Sequence, residues 1–101
     1  MRILLFFDVP SITAEDKREY RKFRKSLIGF GYIMMQESVY VKLTTNYTAC
    51  ALEVEKVRKI KPKKGLVQCL VITENQFEGI INICGKSEHS QIDSLSRLIV
   101  L

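Results

Sequence analysis

The sequence predicts an α+β fold, in which an antiparallel sheet carries two helices on one face. Apolar runs rich in β-formers are separated along the chain by two segments whose apolar residues recur at helical spacing. The chain has 101 residues, of which 47% are hydrophobic and 27% are charged. A chain of this length and composition has room for one core, so residues 1–101 are treated as a single domain.

The first strand covers residues 2–9, and its apolar run from Ile3 to Phe7 ends at a carboxylate, Asp8. A charge beside a core costs free energy unless it is paired, solvated or bound to a metal. Asp8 is therefore either the cap of a turn or a metal ligand, since Mg²⁺ commonly takes one or two carboxylates. No second acid lies nearby in the sequence. A two-fold dimer that pairs two copies of Asp8 around a cation would complete such a site.

The first helix follows this strand. Thr13 is its predicted N-cap, and Glu15 and Asp16 lie in the first turn, where they suit the helix dipole. Gly29 ends the helix and Gly31 begins the next turn. The apolar stripe that should face the sheet consists of Tyr20, Phe23, Leu27 and Phe30.

Residues 32–43 form a long run of β-formers, which is predicted as one strand. Alternation gives it two sides, one with Met35, Val39, Val41 and Leu43 and the other with Met34, Gln36, Ser38, Tyr40 and Lys42. Gln36, Ser38 and Tyr40 would then project from the same face. Packing and hydrogen bonding at an interface is the preferred interpretation of these three residues.

The second half of the chain repeats the helix and strand pattern. Asn46 or Thr48 can cap a second helix, and Pro62 and Gly65 place a loop before the next strand. Strands are predicted over residues 66–73, 79–85 and 96–101, with a capping box in "TENQ" and a polar loop over 86–94. The apolar stripe of the second helix consists of Cys50, Val54, Val57 and Ile60.

The order predicted for the whole fold is β-α-β-β-α-β-β, which needs two strands between the helices where residues 32–43 are predicted as one. The first six match the ferredoxin-like plan, βαββαβ, to which a C-terminal strand is added. Because the predicted strands are apolar on both sides, the face without helices should not remain in contact with water, and a homodimer is expected. The terminal strand would pair with an edge of the partner subunit.

Basic residues are concentrated in two windows. Of the 16 Lys and Arg residues, 12 lie within residues 17–25 and 56–64. This clustering indicates a polyanionic partner, and a solvated surface is the alternative. Both helices should cover the same sheet face, so their basic sides can form one surface that contacts phosphates rather than bases. The candidate nucleic-acid-binding residues are Arg18, Arg21, Lys22, Arg24, Lys25, Lys61, Lys63 and Lys64.

Cysteine usage and hydropathy exclude several classes of protein. Cys50, Cys69 and Cys84 are predicted to be reduced and buried, as in a cytoplasmic protein. No cysteine pair has metal-ligand spacing, which argues against a structural zinc site. No apolar run reaches the roughly 20 residues of a membrane span, so no membrane partner is expected.

Longer motifs resemble a known family. "LLFFDVP", "YRKFRKSLIGFGYIMMQESVYVKL", "PKKG" and "VITENQF" are similar to the small CRISPR-associated protein that partners the integrase in spacer acquisition, in the short form of type II systems. The resemblance implies a ferredoxin-like homodimer that holds double-stranded protospacer DNA and bridges integrase dimers. It also implies a Mg²⁺-dependent endonuclease for RNA or DNA, with the catalytic and metal-binding Asp8 shared between protomers. One departure is Phe7, where many members have a tyrosine whose hydroxyl is a donor near the scissile phosphate.

Three functions follow as hypotheses. The first is a DNA-holding adaptor in spacer acquisition, and the second is a metal-dependent endonuclease. The third is a toxin-type endoribonuclease of the same fold, while a ligand-sensing domain is less favoured because such domains rarely need two basic patches. Since no histidine lies near Asp8 in the sequence to act as general base, cleavage would depend on the metal.

Overall fold

A computed structural model describes residues 1–85 of the protein. The elements are β1 (Arg2–Asp8), α1 (Ala14–Gly29), β2 (Ile33–Gln36), β3 (Val39–Leu43), α2 (Tyr47–Lys59), β4 (Leu66–Ile72) and α3 (Glu74–Glu78). The strands form one antiparallel sheet in the order β2-β3-β1-β4. This confirms the ferredoxin-like βαββαβ arrangement. The predicted loop over 86–94 and strand over 96–101 lie outside the described residues.

The helices begin and end at residues that local sequence specifies. Thr13 Oγ1 accepts a hydrogen bond from the Asp16 amide at 3.0 Å, and the Asp16 carboxylate accepts one from the Thr13 amide. This capping box satisfies two amides at the start of α1. Asn46 caps α2 by accepting a hydrogen bond from the Ala49 amide. After α1 the chain turns at Gly31, which has a φ of +94°. Glycine adopts this backbone conformation more easily than any other residue.

α1 and α2 cover the same face of the sheet, called here the helix face. The odd-numbered residues of β1 point to this face because strand side chains alternate. Phe7 contacts three aromatic rings, and the closest is Phe23, which meets it edge to face at a centroid distance of 5.3 Å. The core on this face consists of Ile3, Leu5, Phe7, Phe23, Leu27, Tyr32, Tyr40, Cys50 and Val57.

The opposite face of the sheet, called here the open face, is covered at one end by α3. Phe77 of α3 packs there against Leu4 and Ile72. The Arg2 guanidinium lies 4.0 Å from the centre of the Phe77 ring and pairs with Glu74 at 2.9 Å. α3 therefore lies at the end of β1 that is farthest from Asp8.

The single strand predicted over residues 32–43 is wrong. The segment is a hairpin in which β2 and β3 meet at a turn of two residues, Glu37 and Ser38. Among residues 1–85 no residue other than glycine has a positive φ, so this is not the type I′ turn that an Asn-Gly pair would signal. The turn is accompanied by a shift of register between Met34 and Gln36.

The hairpin also changes which side chains share a face. Gln36 pairs with Val39, and directly paired residues of antiparallel strands lie on the same face. Tyr40, the next residue along β3, is buried on the helix face. The prediction that Gln36, Ser38 and Tyr40 project together from one strand is therefore wrong.

Two further predictions differ from the structure. Residues 79–85 are not a strand in the structure: Gly79 ends α3, and residues 80–85 have no regular secondary structure. α3 itself begins with the predicted capping box at Thr73. Cys50 is buried as predicted, but Cys69 and Cys84 are exposed. No helix within residues 1–85 is long and apolar enough to cross a membrane.

A partly buried ion pair connects β3 to both helices. Lys42 Nζ lies 2.9 Å from the Glu53 carboxylate of α2 and donates a hydrogen bond to the Phe30 carbonyl at the end of α1. Lys56 donates a second hydrogen bond to Glu53 at 3.1 Å. Burial alone would raise the pKa of the Glu53 carboxyl, but the two lysines outweigh it, so that this pKa is lowered.

Glu53→Gln is expected to reduce the free energy of unfolding by about 1.5 kcal/mol at neutral pH, because hydrogen bonds to a charged group are lost. The folded-state pKa lies below the unfolded value of 4.5, so this stabilisation is present above pH 4.5 and is lost as the pH falls through the folded pKa. Urea unfolding at a series of pH values measures this effect. The free energies of unfolding of the wild type and of Glu53→Gln should become equal at acidic pH. Glu55→Gln, which breaks only the exposed pair with Arg58, is the control. A stability difference that persists at low pH would contradict the assignment.

Candidate functional site

Asp8 is the last residue of β1, and its side chain lies on the open face. Leu4 and Phe6 share that face because they are related to Asp8 by the two-residue period of the strand. The Asp8 side chain is exposed. It has no hydrogen bond or ion pair with any residue from 1 to 85, so no contact there supports the alternative that it caps a turn.

Phe7 points away from Asp8. Its ring is buried on the helix face among the rings of Tyr20, Phe23 and Tyr40. A hydroxyl on this ring would therefore extend into the core and not toward a phosphate beside Asp8. The expectation that a tyrosine hydroxyl at residue 7 would be a donor near the scissile phosphate is therefore wrong for this chain.

The described part of a single chain does not contain a complete metal site. Within the described ranges, no three side chains of His, Cys, Asp or Glu lie close enough together to hold a metal ion. An exposed carboxylate without a basic partner is nevertheless the oxygen ligand that Mg²⁺ prefers. The donor set at Asp8 thus fits Mg²⁺ only if a second molecule provides further ligands.

The loop before β4 packs against the backbone of Asp8. Gly65 has a φ of +98°, and a Cβ atom added to it would lie 2.5 Å from the Asp8 carbonyl oxygen. The next residue, Leu66, is paired with Asp8 in the sheet. From the sequence, Gly65 is predicted only as a loop residue. The only sign of the contact with Asp8 in the sequence is the glycine itself. The contact joins two distant parts of the chain, so local sequence does not predict it.

The basic side chains of α1 are exposed, as predicted. None of them forms an ion pair with another residue in the part of the chain that the structure describes, where the four ion pairs use Arg2, Lys42, Lys56 and Arg58. Exposed cations without acidic partners suit contacts with phosphate oxygens. The basic residues in this group are Lys17, Arg18, Arg21, Lys22, Arg24 and Lys25.

The loop lysines Lys61, Lys63 and Lys64 are exposed too. Two of them, Lys63 and Lys64, border a small crevice of about 30 Å³. The same crevice is lined by acidic residues from the first turns of α1, namely Glu15, Asp16 and Glu19. Both signs of charge therefore meet where this loop approaches the start of α1.

Asp8 and the basic side of α1 lie on opposite sides of the sheet. α1 packs on the helix face, and its basic residues point away from the sheet into solvent. The Asp8 side chain belongs to the open face. The structure therefore does not bring the two predicted sites together within one protomer.

These features define the class: a small ferredoxin-like protein with one helix surface suited to phosphates and an exposed carboxylate at the end of a sheet strand. The model of the family described as CRISPR associated protein Cas2 matches residues 1–80. The chain belongs to this family, which confirms the resemblance inferred from the motifs.

Relatives match over the whole chain. A protein of Treponema denticola is 44% identical over 101 residues, which are 100% of both chains. One of Streptococcus mutans serotype c is 44% identical over 100% of this chain and 93% of its own. One of Ligilactobacillus salivarius is 40% identical over 100% of both. Each of these relatives is named CRISPR-associated endoribonuclease Cas2.

Proposed function

We propose that the protein acts in CRISPR spacer acquisition as a dimeric adaptor that holds double-stranded DNA and bridges integrase dimers. The observation that carries this proposal is the set of exposed basic residues on α1, which have no acidic partner among residues 1–85. Such residues bind phosphates and release counterions from DNA. Phosphate contacts carry little base information, which suits a protein that must accept spacers of any sequence.

The salt dependence of binding tests this function. The logarithm of the affinity for duplex DNA should fall linearly with the logarithm of salt concentration, with a slope of about −0.9 for each phosphate neutralised. Fluorescence anisotropy of a labelled duplex over a range of salt concentrations measures the slope. A slope near zero would contradict DNA binding by the basic residues. Co-purification of the integrase with the tagged protein tests the proposed partner.

The open face supports a homodimer. Phe6, Leu66 and Leu70 lie on this face and are 37%, 56% and 52% exposed. Burial of apolar surface contributes about 25 cal/mol per Å², so a second copy covering these side chains would be stabilised. Asp8 is paired with Leu66 on the same face. A two-fold contact through this region would therefore bring two Asp8 carboxylates toward one another.

Leu70→Glu is expected to dissociate the dimer, because a two-fold contact would bury the new charge twice without a partner. Sedimentation equilibrium should give about twice 11.7 kDa for the wild type and one chain mass for Leu70→Glu. The control is Leu52→Glu, since Leu52 is 64% exposed but lies on α2, away from the open face. A dimeric Leu70→Glu protein, or dissociation by Leu52→Glu, would contradict this interface.

A second function, metal-dependent endonuclease activity, is supported by the exposed Asp8 carboxylate and by the names of the relatives, which describe endoribonucleases. RNA is accordingly the first substrate to test and double-stranded DNA the second. Two copies of Asp8 would hold Mg²⁺, which when bound activates water and stabilises charge on the departing oxygen. The chain itself contributes a carboxylate held at a fixed strand end. The alternative, a toxin-type endoribonuclease, shares the ribonuclease activity that these names describe, but no observation supports a toxin role.

A further inference from the structure

We propose that Gly65 is a positioning residue for Asp8, because the absence of a side chain allows the loop before β4 to close against the Asp8 backbone. A Cβ atom at residue 65 would lie 2.5 Å from the Asp8 carbonyl oxygen, 3.0 Å from Val9 Cα and 3.2 Å from Pro10 Cδ. All three atoms belong to the segment that carries Asp8 or directly follows it. The role assigned to Gly65 rests on the proposed metal site.

The contact is made to backbone, which cannot swing aside as a long side chain can. Any side chain at residue 65 has to displace either the Asp8 carbonyl or the loop itself. The loop cannot move freely, because the next residue, Leu66, is paired with Asp8 in the sheet. A substitution at Gly65 is therefore transmitted to the end of β1 that presents the carboxylate.

A site shared by two protomers is sensitive to such a displacement. Mg²⁺ demands near-ideal octahedral geometry at short metal–oxygen distances. Each protomer would contribute one Asp8, so a shift at the end of β1 would occur on both sides of the metal. The two shifts together would change the distance between the two carboxylates. A substitution at Gly65 should thus change the free energy of metal binding more than the free energy of unfolding.

Gly31 provides a matched control for this effect. Its φ of +94° is close to the +98° of Gly65, so alanine meets the same unfavourable backbone region at both positions. A Cβ atom at Gly31 would meet only the end of the Lys42 side chain, at 3.6 Å, which is ordinary contact. The difference between the two alanine variants isolates the displacement of Asp8 from the general cost of a positive φ.

The experiment measures Mn²⁺ binding to the full-length dimer by electron paramagnetic resonance, with Asp8→Ala as the reference. Gly65→Ala should bind Mn²⁺ about tenfold or more weakly than the wild type, as expected when a group that orients a ligand is disturbed. Gly31→Ala should bind as the wild type does. Without metal, the amide resonances of Asp8 and Val9 should shift in Gly65→Ala and not in Gly31→Ala.

The outcomes separate this role from the metal site itself. No binding by the wild type, or equal binding by the wild type and Asp8→Ala, would overturn the proposed metal site. Loss in Asp8→Ala with unchanged affinity in Gly65→Ala would overturn the positioning role alone. Equal losses in Gly65→Ala and Gly31→Ala would also overturn it, because the loss would then reflect general destabilisation.

A second variant covers the case in which Gly65→Ala does not fold. Pro10→Ala removes the Cδ atom that lies 3.2 Å from the Cβ position of residue 65 and adds no heavy atom. It should loosen the same contact and weaken Mn²⁺ binding several-fold while the dimer persists in sedimentation. A folded Pro10→Ala dimer with the affinity of the wild type would overturn the proposal.

Discussion

Asp8→Ala is expected to slow metal-dependent cleavage on the order of 10²–10³-fold, the usual cost of removing one group that stabilises charge in a transition state. The loss should be this large because no cluster of three or more possible metal ligands that could replace Asp8 is found within the part of the chain that the structure describes. Cleavage of single-stranded RNA and of double-stranded DNA, each with Mg²⁺ and with a chelator, measures the effect.

The same variant should bind DNA as the wild type does, because the basic residues of α1 lie on the other side of the sheet from Asp8. Glu78→Ala, which removes another exposed carboxylate, is the control and should cleave normally. If Asp8→Ala and the wild type degrade substrate equally, the activity belongs to a contaminant. Spacer acquisition in cells that survives Asp8→Ala would separate the adaptor role from cleavage.

Replacing Arg18, Arg21 and Arg24 together with glutamine is expected to weaken duplex binding on the order of 10²-fold at low salt, because charge-assisted hydrogen bonds to phosphates are lost. The salt dependence should flatten by about one unit of slope for each phosphate contact removed. Fluorescence anisotropy with two duplexes of unrelated sequence measures both quantities. The loss should be the same for both duplexes, since these contacts do not read bases.

Arg58→Gln is the matched control for this triple variant. Arg58 is also an exposed helical arginine, but its guanidinium already pairs with Glu55 at 2.9 Å. Its replacement should change the affinity and the slope much less. Thermal unfolding should show that the triple variant remains folded, because all three arginines are exposed. A triple variant with the slope of the wild type would contradict the assignment of α1 as the DNA surface.

The helices could be predicted from the sequence because their signals are local. Thr13, Asn46 and Thr73 each cap a helix through an amide three residues later, so four consecutive residues decide where the helix begins. The apolar stripes of α1 and α2 are similarly contained in one helical period. These features need no knowledge of the rest of the chain, and the structure confirms them.

The strands were less predictable because their ends depend on pairing. The turn at Glu37 and Ser38 contains neither glycine, proline nor asparagine, so only Ser38, a weak turn former, marks the interruption in the run of β-formers. Residues 79–85 are apolar enough for a strand, yet they do not form one in the structure. Composition indicates which segments can form strands, whereas register and partners are decided by tertiary packing.

The candidate site was predictable in part. The position of Asp8 after an apolar run indicated that its carboxylate would lie at a strand end, and the structure places it there. The contact with Gly65 and the acidic side of the crevice at Lys63 and Lys64 could not be predicted. Both depend on how the loop before β4 packs against β1 and α1, which involves residues far apart in the chain.

The position of β1 between β3 and β4 has a consequence for synthesis of the protein on the ribosome. Arg2 pairs with Ile72, so one edge of β1 has no partner until nearly three quarters of the chain has been translated. At roughly 5–20 residues per second, this interval lasts several seconds. During that time the nascent chain presents an apolar strand with unsatisfied backbone groups, the kind of edge that recruits other chains. The pace of translation therefore sets how long the growing polypeptide is vulnerable to aggregation.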